Sequence, residues 1–232
     1  MSTRGATLAV IPARGGSRGL PGKLLRRLGG VPVIVHTIRA ARSAQRPDEV
    51  LVSTDDPAIR RVAIANGASA PFLRPAELST DDAPTPPVIR HAVAWYEAST
   101  GRSVDIAVTL QPTSPLRTAT EIDAAIELLD DTEVDSAVSV APIDLPVSVL
   151  GHVERGRWHG LAAAGTIARR QAAPPAMRLT GGIYVTRRHL LDRDTVVGER
   201  VAALVVGPDS AIDVDTAADL RAARAALRRR RP

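Results

Sequence analysis

The sequence has no cysteine, and its aromatic residues amount to two tryptophans, two tyrosines and one phenylalanine. Without cysteine the chain can form no disulfide, use no thiolate nucleophile and bind no metal through sulfur. No apolar run approaches the roughly 20 residues that cross a bilayer. The N-terminus also lacks the basic, apolar and small-residue regions of a secretion signal. We therefore expect a cytoplasmic protein that has no membrane partner.

Lysine is also scarce. Lys23 is the only lysine among the 30 basic side chains, and all the others are arginines. The formal net charge of +5 would suit a nucleic acid as partner. However, the arginines are scattered apart from the run Arg228 to Arg231, and few aromatic side chains are present to stack on bases. The composition therefore argues against a nucleic acid and fits a protein that handles small anions.

Short β-branched runs alternate with alanine-rich segments along most of the 232 residues, which predicts one α/β domain over residues 1–232. The pattern predicts strands at 7–11, 50–53, 70–73, 105–110, 136–141, 181–186 and 201–206. It predicts helices at 32–43, 57–65, 88–98 and 119–129, with a last helix after Asp215. Such alternation is typical of a mostly parallel sheet covered by helices on both faces, where ligands bind beyond the carboxyl ends of the strands.

A glycine-rich loop follows the first predicted strand, in the segment LAVIPARGGSRGLPGK from Leu8 to Lys23. Its glycines allow main-chain N–H groups to approach an oxyanion, and its cations are Arg14, Arg18 and Lys23. Because a compact ammonium suits a phosphate, Lys23 is the first candidate for contact with a polyphosphate. The spacing matches neither GxGxxG nor the P-loop pattern GxxxxGK[ST]. A turn with solvated charges remains the alternative.

Two carboxylates stand close together near the C-terminus, in the segment IDVD. Asp213 and Asp215 are two residues apart, so in an extended segment both side chains project to one side. Mg²⁺ typically takes one or two carboxylates together with substrate phosphates and water. The alternative is that Asp215 caps the following helix while Asp213 is solvated, since aspartate is a frequent N-cap.

Polar residues suited to a second, anionic substrate lie in two other segments. The segment QPTSPLR follows a predicted strand and contains Gln111, Thr113 and Arg117, and the irregular segment 142–170 ends in Arg169 and Arg170. Paired arginines can fork onto a carboxylate, a phosphonate or a phosphate. A phosphate loop, a carboxylate pair and further arginines together predict nucleotidyl transfer. In that reaction an acceptor oxygen attacks the α-phosphorus of a nucleoside triphosphate and pyrophosphate leaves.

Six segments together resemble the acylneuraminate cytidylyltransferases, which are the CMP-sialic acid synthetases. In chain order they are IPARGGSRGLPGK, RPAELSTDDAPT, LQPTSPLR, ARRQ, GGIYV and IDVDTAADL. The resemblance covers nearly the whole chain and implies a Rossmann-like domain of the nucleotide-diphospho-sugar transferase type. It also implies CTP as co-substrate, Mg²⁺ as cofactor and a homodimer, in which residues 142–170 form a dimerisation arm that reaches the neighbouring subunit's site.

The resemblance also assigns candidate site residues by position. Lys23, Arg14, Asp213 and Asp215 are the catalytic candidates, and the two aspartates are the candidate Mg²⁺ ligands. The nucleotide-binding candidates are Ala13, Arg14, Gly15, Gly16, Ser17, Arg18, Lys23, Arg74, Ala83 and Thr85. The acceptor-binding candidates are Gln111, Thr113, Arg169, Arg170 and Thr180.

Departures from the family pattern concern mainly the acceptor. Leu24 and Thr180 stand where the family has asparagine, and Val196 and Val197 lie where the sialic acid enzymes are often aromatic. The resemblance is therefore compatible with two acceptors, a 2-keto sugar acid of sialic acid type or a smaller phosphonate or phosphonocarboxylate. Because Leu24 removes a polar contact to the phosphates, a catalytically inactive nucleotide-binding protein is the alternative from another class.

Overall fold

The computed structural model describes residues 5–16, 19–162 and 176–230. The strands are β1 (Ala6–Pro12), β2 (Arg27–Leu28), β3 (Val31–Pro32), β4 (Glu49–Ser53), β5 (Val104–Leu110), β6 (Ser136–Pro142), β7 (Gly151–Glu154), β8 (Arg157–Gly160), β9 (Met177–Arg187) and β10 (Val201–Val205). The helices are α1 (Val33–Ser43), α2 (Pro57–Ala65), α3 (Thr85–Thr100), α4 (Ala119–Glu127), α5 (Arg188–Leu191) and α6 (Ala217–Arg229). Every predicted helix is therefore present.

Six strands form the central sheet in the order β10-β6-β9-β5-β1-β4. β1 pairs in parallel with β4 and β5, and β10 pairs in parallel with β6, whereas β9 runs antiparallel to both β5 and β6. The predicted mostly parallel sheet is confirmed. Its consequence for function is that β1, β4, β5 and β6 all end at one edge, where their following loops meet.

Apolar side chains alternate between two core clusters along β1, as a strand covered on both faces requires. Ala9 and Ile11 belong to the cluster that contains residues of α1, α2, α4 and α6, whereas Leu8 and Val10 belong to the cluster that contains residues of α3. Helices thus cover both faces, as the sequence predicts.

The last helix begins with a reciprocal pair of hydrogen bonds. The Thr216 hydroxyl accepts from the Asp219 N–H, and the Asp219 carboxylate accepts from the Thr216 N–H at 2.7 Å. This capping box satisfies two N–H groups that the first turn leaves without a partner. The alternative role for Asp215 as the helix cap is therefore wrong, because Thr216 occupies that position.

Residues 70–73 do not form the predicted strand. Only Ser69 joins the edge of β4, through a single bridge to Leu51, and the chain then turns away. Phe72 instead packs against the His91 and Trp95 side chains on α3, with ring centroids 4.7 Å and 5.8 Å apart. The apolar run thus covers a helix without joining the sheet. α3 is longer than predicted because Pro86 and Pro87 fit its first turn and Gly101, with φ of 68°, ends it.

The irregular segment after β6 contains a short hairpin of β7 and β8, paired in register from Gly151 opposite Gly160 to Glu154 opposite Arg157. Large apolar side chains on this hairpin face solvent, among them Val153 and Trp158. Within the described ranges no helix is both long and apolar enough to cross a membrane.

Candidate functional site

A cleft of about 380 Å³ opens at the carboxyl ends of the parallel strands. It brings together loops that are far apart in the sequence, as the topology predicts. Of the predicted site residues, those that line it are Arg14, Gly16, Lys23, Arg74, Ala83, Thr85, Gln111, Thr113, Asp213 and Asp215. The nucleotide, acceptor and metal candidates therefore surround one space.

Main-chain hydrogen bonds tie the glycine loop to the neighbouring strand. The Ala13 N–H donates to the Ser53 carbonyl at 2.9 Å, and the Gly15 N–H donates to Asp55 Oδ1 at 2.9 Å. Asp56 accepts from the N–H groups of Ala58 and Ile59 and so caps α2. The two aspartates that follow β4 thus have different roles, since one holds the loop and the other holds a helix.

Two cations of the glycine loop, Arg14 and Lys23, are paired with acids at the cleft. Lys23 Nζ lies 2.5 Å from Asp215 Oδ1, and the Arg14 guanidinium contacts the Asp81 carboxylate and the Thr80 carbonyl. Charge-assisted pairs of this kind hold long side chains in defined positions. An anion that enters the cleft would meet two positioned cations beside carboxylates able to bind a divalent cation.

The carboxylate pair has the electrostatics of a cation site. Desolvation raises the pKa of Asp213 above its ordinary value, a hydrogen bond from Thr113 opposes this, and the neighbouring Asp215 carboxylate raises the pKa further. The Asp213 and Asp215 carboxyl groups lie within hydrogen-bond reach of each other. Hard oxygen ligands at this spacing fit Mg²⁺, which takes its remaining ligands from phosphates and water. No cluster of three or more acidic or histidine ligands occurs in the part of the chain that the structure describes.

Arg74 is a buried cation that lines the cleft, with 6% of its surface exposed. Its Nε donates to Ser79 Oγ at 3.2 Å, its main-chain N–H donates to the Thr54 carbonyl, and Nη2 lies 3.7 Å from Asp55 Oδ1. Burial lowers the pKa of Arg74, and the charge of Asp55 partly opposes this. Asp55 therefore contacts both the glycine loop and the arginine predicted to hold the nucleoside.

The QPTSPLR loop is fixed to its neighbours through main-chain groups. The Gln111 N–H donates to the Gly182 carbonyl at 3.2 Å, and the Thr113 carbonyl accepts from the Val214 N–H at 2.7 Å. The second bond joins the QPTSPLR loop directly to the segment that carries Asp213 and Asp215. A shift in one of these elements would consequently move the other.

Some predicted residues lie elsewhere. Ala13 is fully buried, Gly15 lies behind the cleft against Asp56, and Thr180 is 6% exposed with its hydroxyl 2.6 Å from the Ser139 hydroxyl. Thr180 thus stabilises the strand pair β6 and β9 and does not line the cleft. Ser17, Arg18, Arg169 and Arg170 lie outside the described residues.

Leu24, Val196 and Val197 have distinct surroundings. Leu24 is 5% exposed and belongs to the main core cluster, while one part of it reaches the cleft. Val196 packs against the cluster that contains residues of α3, and neither valine is among the residues that line the cleft.

Several residues of the cleft were not predicted from the sequence. They include Thr80, Asp81, Gly181 and Tyr184. Tyr184 could have been identified from the alternation of side chains along β9, which directs every second residue to the same face. Asp81 gives no such signal, because it lies in a loop and reaches Arg14 only through the tertiary fold.

The family model for cytidylyltransferases matches residues 8–194. The CMP-N,N'-diacetyllegionaminic acid synthase of Legionella pneumophila is 35% identical over 226 residues, covering 91% of this chain and 92% of the relative. The pseudaminic acid cytidylyltransferase of Campylobacter jejuni is 28% identical over 219 residues, covering 94% of each. The N-acylneuraminate cytidylyltransferase of Streptococcus agalactiae serotype V is 32% identical, but the match covers 91% of this chain and 51% of that protein.

Among solved structures, CMP:2-keto-3-deoxy-manno-octonic acid synthetase complexed with CTP has a TM-score of 0.69 to this chain. The match covers 97% of this chain and 99% of the other at 24% sequence identity. A 4-diphosphocytidyl-2C-methyl-D-erythritol synthase has a TM-score of 0.68 at 14% identity. At these identities the likeness concerns the fold, and it agrees with the sheet order and helix layers described above.

Proposed function

The chain belongs to the cytidylyltransferase family of nucleotidyltransferases, and from this premise we propose that it transfers CMP from CTP to an anionic sugar acid of sialic acid type. The observation that carries the proposal is the meeting of Lys23 with the Asp213 and Asp215 pair in one cleft. A bound polyphosphate is stabilised by fixed cations and by a divalent metal. Lys23 and the aspartate pair both line the cleft at the end of the glycine loop, which supports the proposal.

In this proposal the residues that line the cleft are divided between the two substrates. Arg14 and Lys23 would hold the triphosphate, and Arg74, Ala83 and Thr85 would hold cytosine and ribose. Gln111 and Thr113 would hold the acceptor next to the aspartate pair, since the Thr113 carbonyl accepts from the Val214 N–H. Ser17, Arg18, Arg169 and Arg170 keep their proposed roles from the resemblance, and Thr180 would act behind the cleft.

The reaction forms a bond between an acceptor oxygen and the α-phosphorus of CTP. The bond from that phosphorus to the oxygen bridging to the β-phosphorus breaks, pyrophosphate leaves, and the acceptor hydroxyl releases its proton to water. The protein positions the two substrates and supplies charge at the phosphates through Arg14 and Lys23. Mg²⁺ held by Asp213 and Asp215 would neutralise negative charge on the phosphates when bound.

The names of two relatives support the acceptor class. The matches cover 92% and 94% of these relatives, which are named for legionaminic acid and pseudaminic acid, and this supports a sugar acid as acceptor. Neither Thr180 nor the two valines lines the cleft, so the departures at these positions do not alter the described cleft wall. A phosphonocarboxylate is consequently the second candidate.

The test is pyrophosphate release with Mg²⁺ and CTP, in parallel with ATP, GTP and UTP. N,N'-diacetyllegionaminate, N-acetylneuraminate and phosphonoacetate serve as acceptors. Turnover that requires CTP and either sugar acid would support the proposal. Turnover with phosphonoacetate alone would show that the acceptor is a phosphonocarboxylate and not a sugar acid. CTP binding without turnover on any acceptor would favour a catalytically inactive nucleotide-binding protein.

We further propose that the chain is a homodimer in which the arm, residues 142–170, contacts the second copy. The support is the apolar surface of the β7–β8 hairpin, where Val153 and Trp158 face solvent in a single chain. Light scattering on the purified protein measures the mass directly. Trp158→Ser should shift the mass from dimer to monomer, and a monomeric wild-type protein would contradict this part of the proposal.

A further inference from the structure

Arg117 is a buried cation whose hydrogen bonds are incomplete. It lies between β5 and α4 with 4% of its surface exposed. One Nη2–H donates to the Gln111 carbonyl, whereas Nε and Nη1 have no hydrogen-bond partner in the described parts of the chain. A buried donor without a partner lowers the stability of the fold. An apolar side chain of similar length would avoid this cost, so packing does not explain a guanidinium here.

The groups near Arg117 belong to the cleft. The Gln111 main chain is held from both sides, because its N–H donates to Gly182 and its carbonyl accepts from Arg117 and from the Ser114 N–H. Gln111 itself lines the cleft. The charges of Glu121 and Asp213 favour the charged form of Arg117, which opposes the effect of burial. Arg117 thus lies behind the QPTSPLR loop.

The buried guanidinium remains charged at neutral pH. Burial lowers the pKa of Arg117 to about 9, which is still above neutrality. The charged group donates to the Gln111 carbonyl, and a hydrogen bond from a charged donor is stronger than one from a neutral donor.

We propose that Arg117 is a positioning residue that orients Gln111 through its main-chain carbonyl, so that the acceptor is held correctly against the α-phosphorus. The inference rests on the proposed function, since it assigns Gln111 to the acceptor. Arg117 does not line the cleft. Its effect passes through Gln111.

The experiment compares Arg117→Met with Arg187→Met. Arg187 is a matched control because its Nε and Nη2 donate to the main-chain carbonyls of Val134, Leu129 and Asp131, away from the cleft. We expect Arg117→Met to keep or raise the melting temperature and to lower kcat/KM for N,N'-diacetyllegionaminate about 10- to 100-fold. CTP affinity should change by less than about threefold, since the loss concerns the acceptor. Arg187→Met should lower the melting temperature and leave kcat/KM nearly unchanged.

A third variant, Arg117→Lys, tests the charge. It retains a positive charge at the same place and should recover at least about threefold of the activity lost in Arg117→Met. Equal activity of the two variants would overturn the need for a positively charged donor behind Gln111. An unfolded Arg117→Met, or one with full activity, would overturn the whole, because the role would then be structural or absent.

Failure of the proposed function is distinguishable from failure of this inference. If the wild-type protein shows no turnover, binding of N,N'-diacetyllegionaminate to the CTP complex is measured by calorimetry. Weaker binding to Arg117→Met than to wild type supports the positioning role without any turnover. Equal binding, or no binding to either protein, overturns it.

Discussion

Lys23 Nζ lies 2.5 Å from Asp215 Oδ1, although 192 positions separate the two residues in the sequence. The side chain of Lys23 is largely shielded, whereas that of Asp215 is mostly open to solvent. The contact joins the first loop of the sheet to the segment before the last helix. It places the single lysine beside the predicted metal ligands.

Replacing Lys23 tests its role at the phosphates. Lys23→Met should lower kcat about 100- to 1,000-fold, as loss of one charge-stabilising donor does in other enzymes. Lys23→Arg should recover only part of this, because a planar fork replaces a compact ammonium. Steady-state pyrophosphate release measures both. Arg26→Met is the control, since its exposed side chain donates to the Pro21 carbonyl, and a loss as large there would contradict the assignment.

The aspartate pair and the helix cap can be separated by one set of variants. Asp213→Asn and Asp215→Asn should abolish most turnover while part of the CTP binding remains, because they remove the metal ligands. Asp219→Asn should weaken the capping box with Thr216 and lower the unfolding free energy by roughly 1 kcal/mol, with little change in kcat. Thermal unfolding and turnover are measured for each variant. Asp213→Asn and Asp215→Asn should mainly lose turnover, whereas Asp219→Asn should mainly lose stability.

The pH dependence of metal binding follows from Asp213. Its pKa is raised by desolvation, so it takes up a proton at a higher pH than an ordinary aspartate, whose pKa is 3.8. As the pH falls towards that raised pKa, protons compete with Mg²⁺, and the apparent Mg²⁺ affinity should decrease. Mg²⁺ titrations of pyrophosphate release at several pH values, from neutral pH downwards, measure this. An apparent Mg²⁺ affinity that does not change with pH would count against Asp213 as a ligand.

Gly15 and Gly16 should respond differently to alanine. A Cβ at Gly15 would lie 2.8 Å from Asp56 Oδ2 and 2.9 Å from Asp56 Cβ, whereas a Cβ at Gly16 would meet nothing within 4 Å. Gly15→Ala must therefore displace the loop or the start of α2, and we expect CTP affinity to fall about tenfold or more. Gly16→Ala should leave the loop in place. Calorimetric titration measures the CTP affinity of both variants, and equal affinities of Gly15→Ala and Gly16→Ala would refute the steric argument.

The arginine run at the C-terminus is not uniformly peripheral. Arg230 donates through Nη1 to the Leu116 carbonyl at 2.6 Å and through Nη2 to Ser210 Oγ at 3.2 Å. Arg230→Ala should lower the unfolding free energy by about 1 kcal/mol, because a half-exposed hydrogen-bonded cation is lost. Arg228→Ala should stay within about 0.5 kcal/mol of wild type, as is usual for an exposed residue. Denaturant unfolding measures both, and removal of the whole run should consequently not be neutral for stability.

The strands that the sequence predicts best are the buried ones. β1, and β5 from Ile106 onwards, are runs of β-branched and other apolar residues, and such runs have few alternatives once helices follow them. The run at 70–73 has the same local character, but its Phe72 packs on α3, and nothing in four residues distinguishes the two outcomes. Periodicity also does not show that β9 is antiparallel, since orientation depends on which strands it pairs with.

The candidate site likewise contains residues that the sequence predicts and residues that it does not. Positions that follow strands could be predicted, because parallel topology brings those loops together. Pairings across loops, such as Arg14 with Asp81, depend on the packed structure and leave no local pattern. Thr180 was predicted at the acceptor, yet its hydroxyl bonds to Ser139, because side-chain direction along β9 depends on a register shift between Val138 and Val140.

The position of the segment between β6 and β9 has a consequence for evolution. The chain leaves the sheet after β6 and returns at β9, and these two strands are hydrogen-bonded neighbours, with Pro142 opposite Met177. A segment that begins and ends at adjacent strands can gain, lose or exchange residues without altering the strand order. The fold can therefore diversify between these two strands while the glycine loop and the aspartate pair keep their framework. The stretch between Pro142 and Met177 is the natural unit to exchange with a relative.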